Sequence, residues 1–258
     1  ARPVEVDQAG RMDAVETDTQ RDLARDAYVW GYTLVVVHRT RALHGSRTPP
    51  GTLQHADALA TPAARSVVAP NNDTLYSSGW FDLGAGDVEI SVPPVDRYWS
   101  VMVLDAYTHV TYVSRRTHGT GGAGVRVTFD AEAPLDPTGP DVVRVPTRTA
   151  WILVRTIVDG PDDLDAARAV QRSIDVRAPL GHRGEATVRI GRPDQVHTAG
   201  AAFFDELASA LAVDPPGRHH PQAPPGALQL VERRARLDPD VLSEGVAAGE
   251  ATIAVGPL

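Results

Sequence analysis

Residues 98–104, YWSVMVL, and residues 150–158, AWILVRTIV, are short apolar runs rich in β-branched and aromatic side chains. They belong to a series of similar runs between about residues 66 and 158, separated by turns that contain Gly, Pro or Asp. Short strands at this spacing, with no helix between them, are typical of an antiparallel sandwich or barrel. The other members of the series are SVVA, LYSSGWFDL, DVEISV, VTYVSRR, VRVTF and DVVRV. We expect the core to include Val101, Val103, Ile152 and Val154.

Helical patterns flank this predicted β-sandwich, so the expected fold class is mainly β with flanking helices (α+β). Apolar residues recur at helical spacing over 18–44, and Thr17 and Gln20 have the spacing of a capping box at a helix start. Further helices are predicted over 159–174, 197–213, 226–236 and 239–249, with a Pro-rich loop at 214–226. The expected organisation is a polar leader (1–17), a helix plus β-sandwich domain (18–178), and a connector with a C-terminal helical tail (179–258).

The composition excludes several classes of chemistry. The formal net charge is −8, which disfavours non-specific binding to nucleic acid. All 25 basic residues are Arg, so a lysine Schiff base, including the usual anchor of pyridoxal phosphate, is excluded. The absence of Cys excludes disulfides, thiolate nucleophiles and cysteine metal ligands. No apolar run approaches the roughly 20 residues that a membrane helix needs, so we expect no membrane partner.

The first residues are polar and lack the apolar core of a secretory signal. Met12 could serve as the natural initiator. These features favour a cytoplasmic protein, and export of a mature chain is the alternative.

Two features that suggest cofactors are better explained as loops. GTGGAG at 119–124 matches the glycine pattern of dinucleotide sites, but the strand-like VRVTF follows it where that fingerprint needs a helix. We therefore predict a flexible hairpin loop without a nucleotide. None of the nine His residues has a recognisable metal-ligand spacing, and we expect His219 and His220, in the Pro-rich loop, to be solvated. His109 and His118 flank a predicted strand, where a His can be a base, a ligand or a turn residue. No cofactor and no metal are expected.

Three polar groups lie at strand ends. The first is Asn71-Asn72-Asp73-Thr74 with Tyr76, the second is Asp105-Ala106-Tyr107-Thr108, and the third is Arg115-Arg116-Thr117-His118. Successive antiparallel strands can bring the first two groups to one rim of the sheet, where carboxylates, amides and phenols could bind a polar ligand or transfer protons. The alternative is structural, since Asp and Asn cap turns and Arg pairs with Asp.

Taken together, these stretches resemble a known family. DAYVWGYTLVVVHRTR, APNNDTLYSSGWFDL, DRYWSVMVLDAYTHVTYVSRRTHGTG and WILVRTIVDGPDDL are similar to domain of unknown function 1254, over about residues 20–175. Thr33 stands where the family is expected to have Pro, and His109 where Asn is common. The resemblance implies a β-sandwich flanked by helices and supplies no reaction.

The resemblance also bears on partners. Longer members often continue into a second β domain, domain of unknown function 1214, which this sequence does not contain. A site built between the two β domains would here be open, or completed by a second copy of the chain or by a separate partner of the 1214 type.

Two hypotheses follow. The first is an enzyme that binds or converts a small polar metabolite by general acid/base chemistry without a redox cofactor, as a hydrolase, lyase or isomerase. Its candidate catalytic residues are Asp73, Asp105 and Tyr76. Its candidate substrate-binding residues are Asn71, Asn72, Thr74, Tyr107, Arg115 and, on the first helix, Trp30, Tyr32 and His38. The second hypothesis is a non-catalytic module that binds a ligand or a protein and uses the same residues as a structural rim.

Overall fold

The computed structural model describes residues 8–49, 51–61, 71–134, 141–179 and 192–254. Its helices are α1 (Gln8–Gly45), α2 (Arg115–His118), α3 (Leu164–Ser173), α4 (Ala202–Val213), α5 (Ala227–Arg233) and α6 (Pro239–Ala254). Its strands are β1 (Gln54–His55), β2 (Thr74–Asp82), β3 (Val88–Val92), β4 (Trp99–Leu104), β5 (Val110–Ser114), β6 (Ala123–Phe129), β7 (Val142–Val145), β8 (Thr149–Ile157) and β9 (Asp175–Arg177). The predicted strand SVVA lies outside the described residues.

The chain divides into two compact units. One, the helical unit, comprises Ala1–Thr40, Ala186–Ala212 and Pro221–Leu258, and the other, the sandwich unit, comprises Arg41–Glu185 and Val213–His220. In this division the greater part of α1 groups with the C-terminal helices. Within the described residues, no helix is both long and apolar enough to cross a bilayer.

The sandwich unit contains two sheets. The first has the strand order β1-β2-β8-β4-β5 and the second the order β7-β6-β3-β9. Among the described strands, every pairing is antiparallel except that of β6 with β7. The predicted mainly antiparallel β-sandwich with flanking helices is thus confirmed, and the structure adds β1 and β9 to the predicted strands.

Alternating side chains from both sheets form the core between them. Strand β3, for example, alternates buried and exposed residues along its whole length. The four predicted core residues are confirmed: Val101, Ile152 and Val154 are fully buried and Val103 is 2% exposed. The outer face of β8 carries the other half of its residues, among them Trp151 and Arg155.

Element boundaries differ from the predictions where a local signal was misread. Helix α1 begins at Gln8 instead of residue 18, so the capping-box spacing of Thr17 and Gln20 lies within the helix. The predicted strand VTYVSRR ends at Ser114, because the Ser114 hydroxyl accepts the Arg116 N–H and caps the short helix α2. Helix α4 begins at Ala202 instead of residue 197, just after Gly200, whose φ is 55°. Strand β6 contains the predicted VRVTF but begins at Ala123, within GTGGAG. The predicted hairpin at 119–124 is wrong, because β5 and β6 belong to different sheets and α2 lies between them.

Candidate functional site

The loop between β4 and β5 is organised by the buried carboxylate of Asp105. Its Oδ1 atom accepts the backbone N–H groups of Tyr107 and His109, at 2.8 and 2.9 Å. Thr108, in the same turn, has a φ of 66°, which a residue other than Gly rarely adopts. These bonds give Asp105 a structural role in shaping the turn.

The second oxygen of Asp105 binds His220. The Oδ2 atom lies 2.7 Å from Nε2 of His220, and the two side chains are 2% and 0% exposed. The backbone N–H of Gly217 donates to Nδ1 of His220 at 2.8 Å. Because Nδ1 accepts a hydrogen bond, a neutral His220 must carry its proton on Nε2, and this N–H donates a hydrogen bond to Asp105. The expectation that His220 is solvated is therefore wrong, whereas His219 is exposed.

Tyr107 extends this network. Its hydroxyl donates to the backbone carbonyl of Asp214 at 3.0 Å, and its ring lies 4.4 Å from that of His220. Burial, followed by the charges of Asp214 and Asp105, raises the pKa of Tyr107 above its ordinary value. The Asp214 carboxylate in turn accepts the backbone N–H of Thr149 at 2.8 Å. Tyr107 is therefore a neutral donor that joins the 105–109 turn to the 214–220 loop.

His109 lies on the other side of the Asp105 carboxylate. Its Nδ1 atom is 3.6 Å from Oδ2 of Asp105 and is buried without a hydrogen-bond partner among the described residues. The side chain as a whole is 34% exposed. One ring nitrogen thus faces a buried carboxylate while another part of the ring reaches the surface.

A small pocket opens beside His109. Its volume is about 230 Å³, including space that is open to solvent. Carboxylate, imidazole, hydroxyl and guanidinium groups contribute to its wall, together with apolar residues. The lining residues are Val103, Asp105, His109, Thr111, Pro134, Arg144, Val145 and Pro146. Most of that space is open to solvent, and the enclosed part has room for about one water molecule, so the pocket could take a single small polar group of a ligand.

Asp105, His109 and His220 also offer three potential metal-ligand atoms within 4.8 Å of one another. A histidine that binds a metal normally donates its other ring N–H to an acceptor. Nδ1 of His220 instead accepts the Gly217 N–H, so Nε2 could bind a metal only if the ring lost both protons. The arrangement fits a hydrogen-bonded carboxylate better than a metal site.

The Asn71-Asn72-Asp73 block forms the entrance to β2. All three residues are exposed, and the Asn71 side chain accepts the Asp73 backbone N–H at 2.8 Å. The local geometry is thus an Asx turn. Thr74 and Tyr76 follow on one face of β2, as the alternation predicted, with Leu75 on the other.

The strand register separates this block from Asp105. Strands β2 and β4 both pair antiparallel with β8, so they run in the same direction. Asp73 precedes the start of β2 and Asp105 follows the end of β4, which places them at opposite ends of the sheet. The expectation that the two groups share one rim, with Asp73 and Tyr76 beside the same cavity as Asp105 or Tyr107, is wrong because β8 inserts between β2 and β4.

The remaining predicted site residues lie elsewhere. Arg115 pairs with the exposed carboxylate of Asp96 at 2.5 Å. This pair lies at the end of the sheet where β2 begins. Trp30, Tyr32 and His38 belong to the helical unit, where the Trp30 indole N–H donates to the Pro221 carbonyl at 3.0 Å. Their ligand-binding roles stay predictions.

The sequence analysis did not identify three residues that could take part in binding or proton transfer. His220 lies in a Pro-rich loop 115 positions from its partner Asp105, so no local pattern pointed to it. Arg144 and Arg155 stand within apolar strands, where the natural reading of an isolated Arg is an outward-facing strand residue.

Comparison with known proteins gives a family and a fold. A family model described as protein of unknown function (DUF1254) matches residues 50–178. The crystal structure of the VPA0106 protein from Vibrio parahaemolyticus is similar, with a TM-score of 0.51 and 23% identity over 92% of this chain and 68% of that chain. An uncharacterized protein from Burkholderia cenocepacia matches with a TM-score of 0.35 and 10% identity, over 91% of this chain and 57% of that chain. Among curated proteins no relative was found.

Proposed function

The chain belongs to the DUF1254 family of proteins of unknown function, and we propose, from the geometry around His109, that it converts a small anionic metabolite by general acid/base chemistry. The proposed base is His109, with Asp105 as the residue that positions it. One observation carries the proposal: Nδ1 of His109 is buried, lacks a partner among the described residues, and lies 3.6 Å from Asp105 Oδ2 beside a pocket.

The geometry supports a defined division of roles. If Nδ1 carries the proton and faces Asp105, the lone pair of His109 is on Nε2, where it can take a proton from a bound ligand. The Asp105 carboxylate then stabilises the imidazolium that forms. A distance of 3.6 Å is too long for a hydrogen bond, and such contacts often shorten when the ligand binds.

Arg144 and Thr111 would bind the ligand. The Arg144 side chain is 54% exposed, and its contact with Asp130 is long, at 3.8 Å. Exposed ion pairs of this kind contribute little, so the guanidinium can turn to an anionic ligand at low cost. Proton transfer between His109 and such a ligand requires no redox cofactor. The reaction class is therefore proton abstraction, as in an isomerase or a lyase.

A second function has its own support. Asp105 already accepts hydrogen bonds from Tyr107, His109 and His220, which is what a purely structural rim requires. In that case the chain would be a non-catalytic binding or interaction module, and the 105–109 turn would serve only to hold the 214–220 loop.

The experiment compares His109→Gln with His219→Gln, which changes an exposed histidine. Thermal shift against a panel of small hydroxy acids and keto acids identifies a ligand, and proton NMR in D₂O then detects exchange or conversion of that ligand. We expect His109→Gln to abolish both the stabilisation and the exchange while changing the melting temperature of the free protein little. If no acid of the panel perturbs the His109 imidazole resonances, or if His109→Gln retains full exchange activity, the structural function is favoured.

A further inference from the structure

The outer face of the five-stranded sheet carries a basic side chain in an unusual setting. Arg155 of β8 is flanked across the sheet by Tyr76 on β2 and Ser100 on β4. Ser114 of β5 is the next residue in this row, and Tyr112 lies one pair further along β5 on the same face. Because Ser100 is small, the side chains of Arg155 and Tyr112 can approach each other over it.

Arg155 lacks a counter-ion. Within the described parts of the chain, the side-chain partners of its guanidinium are tyrosines and not carboxylates, and its Nε atom is buried without an acceptor. By contrast, other cations of the same unit, such as Arg97 and Arg115, have carboxylate partners. An uncompensated cation that is partly withdrawn from water costs free energy, so a position of this kind favours an added anion.

Two tyrosines surround the guanidinium. Its Cζ atom lies 5.3 Å from the centre of the Tyr76 ring, a cation–π distance. Burial lowers the pKa of Arg155, but the hydroxyl groups of Tyr76 and Tyr112 more than offset that effect, and the net direction is upward. The guanidinium is therefore charged at every physiological pH, and two phenol O–H groups stand beside it.

The site around Arg155 borders an exposed tyrosine ring and a buried threonine hydroxyl. Tyr112 is 53% exposed, which makes this edge of the sheet accessible. Thr74, two residues before Tyr76 on the same face, is 5% exposed, and its hydroxyl has no partner among the described residues. The Nε atom of Arg155 and the Thr74 hydroxyl, both buried without a hydrogen-bond partner among the described residues, thus lie on the same face of the sheet.

We propose that Arg155, Tyr76 and Tyr112 form a binding site for the carboxylate of a small aromatic or aliphatic acid. A planar carboxylate matches the donor geometry of guanidinium, the tyrosine hydroxyls can donate to the same oxygens, and the exposed Tyr112 ring offers an apolar contact. This site is distinct from the His109 pocket. Asp105 lies beyond the opposite end of β4. By the alternation of side chains along β4 it is on the same side as the core-facing Val101 and Val103, whereas Arg155 lies on the outer face of the sheet.

Calorimetric titration with benzoate tests the site, with inorganic phosphate as a second probe that separates carboxylate recognition from general oxyanion binding. We expect saturable benzoate binding that Arg155→Gln weakens roughly 10- to 100-fold and Tyr112→Phe weakens roughly 2- to 10-fold, as expected for hydrogen bonds to charged and neutral donors. The matched control is Arg126→Gln, which removes the same charge from an exposed position of β6 and should leave the affinity unchanged. Stronger binding of phosphate than of benzoate would overturn the assignment to carboxylates.

Two further outcomes would overturn the site itself. One is the absence of saturable binding of either probe to the wild-type protein. The other is equal binding by the wild type and by Tyr112→Phe and Arg155→Gln. Since Arg155→Gln leaves no carboxylate unpaired, we expect it to fold, and Tyr112→Phe tests the same site if it does not. His109→Gln should bind benzoate like the wild type, so failure of this site and failure of the proposed function are separable.

Discussion

Nε2 of His220 lies 2.7 Å from Oδ2 of Asp105, and this contact connects the end of β4 to a loop 115 positions further along the chain. Both side chains are almost fully buried. The carboxylate therefore depends on hydrogen bonds from protein groups to replace its lost hydration. The bond explains how the 214–220 loop is held in the sandwich unit.

His220→Leu should destabilise the protein by about 2–4 kcal/mol, because it removes a donor to a buried charged group. The loss should appear as a lower midpoint of urea unfolding. His219→Leu is the matched control, since the neighbouring side chain is exposed and should change the midpoint little. Equal midpoints for the two variants would show that the Asp105–His220 bond contributes nothing to folding.

The Arg39–Glu206 pair offers a second stability test, within the helical unit. Nε and Nη2 of Arg39 each donate to the Glu206 carboxylate at 2.7 Å, and the side chains are 3% and 8% exposed. Glu206→Leu leaves a buried guanidinium with one carbonyl acceptor, and should cost about 3–5 kcal/mol. The double variant Arg39→Met, Glu206→Leu should recover most of this loss. Asp194→Asn, which breaks an exposed ion pair, is the control.

Stability should also depend on pH through two half-buried histidines, His44 and His55. Burial, with a smaller effect of Arg47, lowers the pKa of His44, whose Nδ1 accepts the Trp80 indole N–H at 3.0 Å. Burial and then Arg172, opposed by Asp57, lower the pKa of His55. Both folded-state pKa values lie below the unfolded value of about 6.5, so the unfolded chain binds these protons more readily. Stability is thus fully present above about pH 6.5 and declines as the pH falls below it.

Urea unfolding at pH 7.5 and 5.5 measures this effect. The double variant His44→Gln, His55→Gln should show a smaller decrease in unfolding free energy between the two pH values than the wild type does. His219→Gln should behave like the wild type. An unchanged pH dependence in the double variant would mean that protonation of neither imidazole is coupled to folding.

The success of sequence reasoning depended on the range of the interaction involved. Short runs of apolar, β-branched and aromatic residues bounded by turns are a local signal, and they correctly predicted β3, β4 and β8 and the burial of Val101 and Ile152. The relation of Asp73 to Asp105 depends instead on which strand lies between β2 and β4, and residues 149–157 come too late in the chain for a local pattern to reveal it. His220 was misplaced for the same reason, since only its distant partner accounts for its burial.

The asparagine-rich entrance to β2 provides the last test. Asp73 is exposed, and no hydrogen bond to its carboxylate is present among the described residues, so Asp73→Asn should change the unfolding free energy by less than about 1.5 kcal/mol. Asn71→Ala removes the acceptor for the Asp73 N–H and should cost about 0.5–1.5 kcal/mol.

The same variants separate the two ideas about catalysis. Because Asp73 lies at the opposite end of the sheet from the His109 pocket, Asp73→Asn should bind the ligand identified by thermal shift as tightly as the wild type does. If Asp73→Asn instead abolishes ligand binding at unchanged stability while His109→Gln retains it, the catalytic centre lies at the entrance to β2, as the sequence alone suggested, and the proposed role of His109 is wrong.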